Sequence, residues 1–135
     1  MNFSNNPPYK CVIIDDDQLS IDILANFINK MPDLYVAQTY SDPAKALSEI
    51  FEQDNIDFLF LDIRMDISGL DVAKILRDKV RFLIFVTSYE EYALDAFGVE
   101  GDKFLVKPIG FSKLSATIHD VLQKESRQRG FSQSR

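Results

Sequence analysis

Lys10-Cys11-Val12-Ile13-Ile14-Asp15-Asp16-Asp17 begins as an apolar run and stops at three consecutive carboxylates. A short β-branched stretch that ends in acids reads as a buried strand whose carboxyl end is polar. Three other runs share the form. Phe58-Leu59-Phe60-Leu61 ends at Asp62, Phe82-Leu83-Ile84-Phe85-Val86 ends at Thr87-Ser88, and Phe104-Leu105-Val106 ends at Lys107-Pro108. Near-continuous apolar strands are those covered on both faces, as in parallel sheets. Ligands of open α/β sheets collect beyond the carboxyl ends of the strands, so these polar residues form the candidate site.

Working outward, the segments between the strands carry helical spacing. A strand over 12–14 is followed by a helix over 18–31, with Leu19, Ile23, Leu24, Phe27, Ile28 and Met31 as its apolar stripe, broken by Pro32-Asp33. A less uniformly apolar strand over 34–40 suits a sheet edge. Ser41 or Asp42 caps the next helix, with Pro43 in its first turn. That helix runs to about Gln53 with Ala46, Leu47, Ile50 and Phe51 inward. Strands are expected over 57–61, 80–87 and 103–106. Helices are expected over 69–77, over 90–97 with Gly98 as terminator, and from Phe111 or Ser112 with Leu114, Ile118, Val121 and Leu122 on one face. Alternation of strand and helix implies crossover connections. The expected architecture is α/β, a three-layer, doubly wound, five-stranded parallel sheet. Residues 1–8 read as a loose leader and 9–124 as one domain. Residues 125–135 read as a polar, basic tail in which the last helix frays toward a further, absent domain.

The chain has 135 residues, a formal charge of -6 and one cysteine. That length suits a single domain. The negative charge argues against nucleic-acid binding by this domain itself. Cys11, alone within an apolar run, excludes an intrachain disulfide and fits a reducing compartment. No apolar stretch approaches the roughly 20 residues that span a bilayer, and the first eight residues hold no signal-peptide core. The expectation is a cytoplasmic protein without membrane attachment.

If the first and third strands are neighbours, Asp15, Asp16 and Asp62 converge. Three carboxylates repel one another and need a cation. All-oxygen ligation with open positions suits Mg²⁺, and a backbone carbonyl from the loop after Asp62, with that of Arg64 the leading candidate, could complete the shell. Asp17 is read as a helix cap. Lys107 can reach over the acids to pair with a bound anion. The hydroxyl of Thr87 can donate to a phosphoryl oxygen, small Ser88 leaves room beside it, and the bond before Pro108 is a candidate for the cis form. Together these residues make a phosphoryl-transfer site with Asp62 as nucleophile, forming an aspartyl-phosphate.

With these pieces in place, the chain resembles the receiver domain of two-component response regulators over roughly residues 9–124. The matching motifs are Val12-Ile13-Ile14-Asp15-Asp16-Asp17, Leu59-Phe60-Leu61-Asp62-Ile63-Arg64-Met65, Val86-Thr87-Ser88-Tyr89 and Phe104-Leu105-Val106-Lys107-Pro108. The segment from Ser88 to Phe97 is similar to receivers of the LytR/AlgR type, which usually precede a DNA-binding domain. The resemblance implies the flavodoxin-like strand order 2-1-3-4-5. It implies Asp62 as phosphoacceptor from a sensor histidine kinase, Mg²⁺ held by Asp16, by Asp15 through water and by the Arg64 carbonyl, and Lys107 and Thr87 as phosphate contacts. It also implies Thr87 and Phe104 as the switch that reshapes the helix 4–strand 5–helix 5 face. The less favoured alternative for Phe104 is plain core packing. Tyr89, Tyr92 and Phe97 could anchor a partner or a second copy on that face, among Glu90, Glu91, Asp95 and Asp102.

The family commonly places a proline after Met65 and a longer segment before Ser68-Gly69; here Asp66-Ile67 stand instead. Asp66 either tunes the metal site or caps the following helix. This departure supports an alternative, a pseudo-receiver that binds partners without phosphorylation. An aspartyl phosphatase is disfavoured because Arg64 stands where that class has its second acid. A flavodoxin is disfavoured because no phosphate-binding loop follows the first strand.

Overall fold

The structure is a computed structural model and describes residues 6–133. The elements are β1 (Tyr9–Ile14), α1 (Gln18–Asn29), β2 (Leu34–Tyr40), α2 (Pro43–Glu49), β3 (Ile56–Leu61), α3 (Gly69–Leu76), β4 (Val80–Thr87), α4 (Ala93–Gly98), β5 (Lys103–Val106) and α5 (Phe111–Gln133). Every strand pair is parallel and the order is 2-1-3-4-5, as expected.

The uninterrupted apolar strands divide their side chains by alternation between two cores. Cys11, Ile13, Phe58, Phe60, Phe82, Ile84 and Val86 face α1 and α5. Val12, Ile14, Leu59, Leu61, Leu83 and Phe85 face α2, α3 and α4. Phe58 anchors the first core, with Phe82 at 5.2 Å and Tyr9 edge-on at 6.0 Å between ring centroids. Burying a side chain of this size contributes about 1.5–3 kcal/mol. The sheet is therefore a two-sided wall, and only its strand ends are free for chemistry.

The structure corrects four local expectations. The inward line of α1 is Ile21, Leu24 and Ile28, whereas Leu19 is 66% and Ile23 45% exposed. Helix α2 stops at Glu49, and Phe51 is half exposed. There the Asp54 carboxylate accepts the Phe51 N–H at 2.8 Å, offering the backbone a turn instead of another helical bond. Helix α4 begins at Ala93, later than expected, and ends at Gly98; the left-handed residue that follows is Glu100 at φ 63. The glycine required nearby is Gly101, where a Cβ would lie 2.8 Å from the Phe85 ring. Helix α5 does not fray at Lys124 but continues to Gln133. Its Glu125 is clamped to the sheet by Arg81. Most of the expected leader, residues 1–5, lies outside the described residues. Among the described residues no helix is long and apolar enough to cross a membrane.

Candidate functional site

Strand register builds the site. Ile14 pairs with Leu61, so Asp15 and Asp62 leave adjacent strands side by side. The Asp62 N–H donates to the Ile14 carbonyl at 3.0 Å, and the Asp15 N–H to that of Tyr40 at 3.0 Å. Thr87 pairs with Val106, and the Lys107 N–H donates to the Thr87 carbonyl at 2.8 Å. The chain reverses sides of the sheet around β1, which opens the crevice at these ends.

Asp15, Asp16 and Asp62 each place a carboxylate oxygen within 4.8 Å of the others. Asp15 and Asp62 are buried and Asp16 is exposed. Lys107 Nζ donates to Asp15 Oδ2 at 2.7 Å, to Ser20 Oγ at 3.1 Å and, at the long limit of 3.5 Å, to Asp62 Oδ2. Asp17 caps α1, accepting from the Leu19 N–H at 3.2 Å.

The electrostatics of the site set burial against pairing. Burial pushes the Asp15 carboxyl above the usual carboxylate range; the Asp62 charge adds to this, and the Lys107 ammonium and the Asp17 N–H oppose it without prevailing. Burial acts to lower Lys107, but Asp15 and Asp62 outweigh it and hold the ammonium above the usual lysine range. In an ordinary ion pair the acid moves down while the base moves up. Here both move up, because burial of Asp15 outweighs the pairing that lowers it, while at Lys107 the two carboxylates outweigh burial. The donors are all hard oxygens with one open side, which fits Mg²⁺ better than a thiolate- or imidazole-seeking metal.

Thr87 is fully buried, and its Oγ1 has no hydrogen-bond partner among the described residues. Leaving a buried hydroxyl unpaired costs about 1–3 kcal/mol. Phe104 is partly buried, packs against the second core and tilts toward Phe85 at 6.5 Å. The Lys107–Pro108 bond is cis. Arg64 lays its guanidinium over the Tyr89 ring at 4.4 Å, joining the loops after β3 and β4. A cavity of about 310 Å³ opens alongside, with Asp15, Ser20 and Lys107 on its polar wall and Leu24, Val86 and Ile109 on its apolar one.

One expectation at the site changes. Asp66 is not the cap of α3; Ser68 is, accepting from the Leu70 N–H at 3.2 Å. Asp102, expected among the polar groups of the α4–β5–α5 face, is tied down there, its carboxylate holding Arg77 at 3.2 Å and the Leu83 N–H at 2.8 Å. Sequence reasoning also missed how the departing 65–69 segment closes. The Gly69 N–H donates to the Ile63 carbonyl at 2.7 Å, and a Cβ on Gly69 would sit 1.8 Å from the Asp62 carbonyl oxygen. The segment folds back directly onto the Asp62 backbone, and only glycine permits that approach.

The protein-family comparison matches residues 11–119 to the response regulator receiver domain. The chain is 33% identical over 122 residues to the sensory transduction protein LytT of Enterococcus faecalis, covering 88% of this chain and 48% of that protein. It is 31% identical over 121 residues to the transcriptional regulatory protein BtsR of Salmonella typhi, covering 88% of this chain and 50% of that one. The chain thus spans about half the length of these relatives. Among solved structures, the receiver (REC) domain of AraT, a response regulator from Geobacillus stearothermophilus, superposes with a TM-score of 0.76 at 27% identity, covering 90% of this chain and 98% of that one.

Proposed function

The chain belongs to the response regulator receiver family, a family of signalling switches, and from that premise we propose that Asp62 is its phosphoacceptor. The donor is the phosphohistidine of a sensor kinase. A carboxylate oxygen of Asp62 attacks phosphorus, the bond from phosphorus to the imidazole nitrogen breaks, and its electron pair leaves with the ring.

The observation that carries this reading is the Lys107 ammonium, brought from 45 residues away to 3.5 Å from the Asp62 carboxylate. It faces the atom that would bear the new group and neutralises part of the incoming charge. Thr87 Oγ1, buried and unpartnered, is the donor that a phosphoryl oxygen would satisfy. Asp15, Asp16, Asp62 and the Arg64 carbonyl are the residues that would hold Mg²⁺. When bound, the ion supplies charge neutralisation of the transferred group. The turn of Gly69 against Asp62 keeps the nucleophile's backbone fixed during transfer.

The proposed output uses Thr87 and Phe104. When Thr87 moves toward the phosphoryl group it vacates volume that Phe104, at the edge of the second core, rotates to fill. The α4–β5–α5 face then changes shape. Leu94, Phe97 and Val106 are exposed there and give it apolar area for a partner or a second copy. Because the relative BtsR, a transcriptional regulatory protein, is about twice as long, α5 is proposed to lead from the 9–124 domain through residues 125–135 into an output domain.

Incubation with acetyl phosphate and Mg²⁺, followed by intact mass, tests this. One phosphoryl group is gained by the native chain and none by Asp62→Asn. Folded native protein that gains no mass from any donor would be a phosphorylation-independent binding module instead.

A further inference from the structure

Lys107 is held in a closed ring of hydrogen bonds that reaches the first turn of α1. Lys107 Nζ donates to Asp15 Oδ2 at 2.7 Å and to Ser20 Oγ at 3.1 Å. Ser20 Oγ donates to Asp17 Oδ2 at 2.9 Å, and the Asp17 N–H donates to Asp15 Oδ1 at 2.9 Å. The ring therefore runs Asp15, Lys107, Ser20, Asp17 and back to Asp15. Each donor and acceptor is used in the sense its chemistry allows: an ammonium donates only, and a hydroxyl both accepts and donates.

We propose that Ser20 is a positioning residue for phosphoryl transfer, fixing the rotation of the Lys107 ammonium so that one N–H is kept for the group arriving on Asp62. This rests on the reading of Asp62 as the phosphoacceptor. An ammonium carries three N–H donors on a flexible stem. Asp15 takes one and Ser20 a second. The third is left to Asp62 Oδ2 at 3.5 Å, a contact loose enough to be exchanged for a phosphoryl oxygen. Without Ser20, two donors compete for Asp15 and solvent, and the third loses its direction. Ser20 also lines the cavity beside the site, so water from that cavity would take its place in the alanine variant. Asp17 keeps its bond from the Leu19 N–H in that variant, so the helix stays capped.

The test compares native protein, Ser20→Ala and Ser20→Thr with acetyl phosphate and Mg²⁺ across donor concentrations. Losing one hydrogen bond to a charged group is expected to lower the saturating rate of Ser20→Ala about tenfold. The half-saturating donor concentration is expected to stay unchanged, and Ser20→Thr to restore the rate. In ¹⁵N NMR the Lys107 ammonium should be observable in native protein and Ser20→Thr, and averaged by exchange in Ser20→Ala. A Ser20→Ala rate within twofold of native, or an unchanged ammonium signal, overturns the proposal. If native protein itself takes no phosphoryl group, the reading of Asp62 fails, and the ammonium signal alone then decides whether the ring orders Lys107.

Discussion

The two ends of the sheet treat buried charge in opposite ways. At the amino ends of the strands, Asp57 and Arg81 stand side by side, because Ile56 pairs with Val80 and Phe58 with Phe82. Their side chains are 7% and 6% exposed and meet at 3.2 Å. The other Asp57 oxygen accepts the Lys10 N–H at 2.8 Å, and Arg81 also grips Glu125 of α5 and lies over the Phe82 ring at 4.9 Å. Every one of these charges is matched. At the carboxyl ends, three carboxylates meet a single ammonium, and a buried hydroxyl is unpaired. The first arrangement closes the fold. The second leaves an excess of negative charge, which a divalent cation could offset.

That contrast can be broken most forcefully at the amino ends. Arg81→Ala strands Asp57 in the interior and is expected to cost about 3–5 kcal/mol in urea unfolding, as for other buried pairs that lose one partner. Asp57→Asn in the same background should recover part of it. A loss below 1 kcal/mol would mean the network is ornamental. At the other end the sign reverses. Mg²⁺ should raise the stability of the native chain, by about 2.7 kcal/mol at a hundredfold excess over its dissociation constant. Asp62→Asn should be at least as stable as native in the absence of the ion, because a repelling charge is gone, yet gain little from it. Thermal unfolding with and without Mg²⁺ reads both.

Read one pH unit above the ordinary thiol value, the smallest effect, about 1.4 kcal/mol, sharpens the comparison from within the core. Burial, with the Asp57 charge added, pushes the Cys11 thiol up to about 12, against 9.0 for an ordinary thiol. The folded state thus keeps a proton that the unfolded chain releases. The stability contribution is complete below pH 9 and is lost as pH climbs toward 12, at about 1.4 kcal/mol per pH unit. Cys11→Ala should flatten that alkaline slope in denaturant titrations, and the native thiol should resist alkylation until the protein unfolds.

Much of this was legible in the chain. Four apolar runs ending in Asp15-Asp16, Asp62, Thr87 and Lys107 announced a parallel sheet and its site, since a strand covered on both faces has only its end to offer. The boundaries of β4 and β5 were read to the residue for the same reason. The amino-end network was not seen. Asp57 and Arg81 look like ordinary strand-start charges until register sets them side by side, and Glu125 sits in a stretch whose polarity reads as tail. Leu19 and Ile23 misled because helical spacing identifies a stripe but not the angle at which the helix docks.

What residue order settled by itself is local: which runs must be buried, in what alternation, and which reactive groups stand at their ends. Those are properties of neighbours a few positions apart. What needed the tertiary structure is every relation across the sheet. Lys107 meets Ser20 from 87 positions away, Gly69 turns onto the Asp62 carbonyl, and Thr87 is sealed without a partner. Such distances depend on how two packed surfaces come to rest, and no spacing along the chain encodes them.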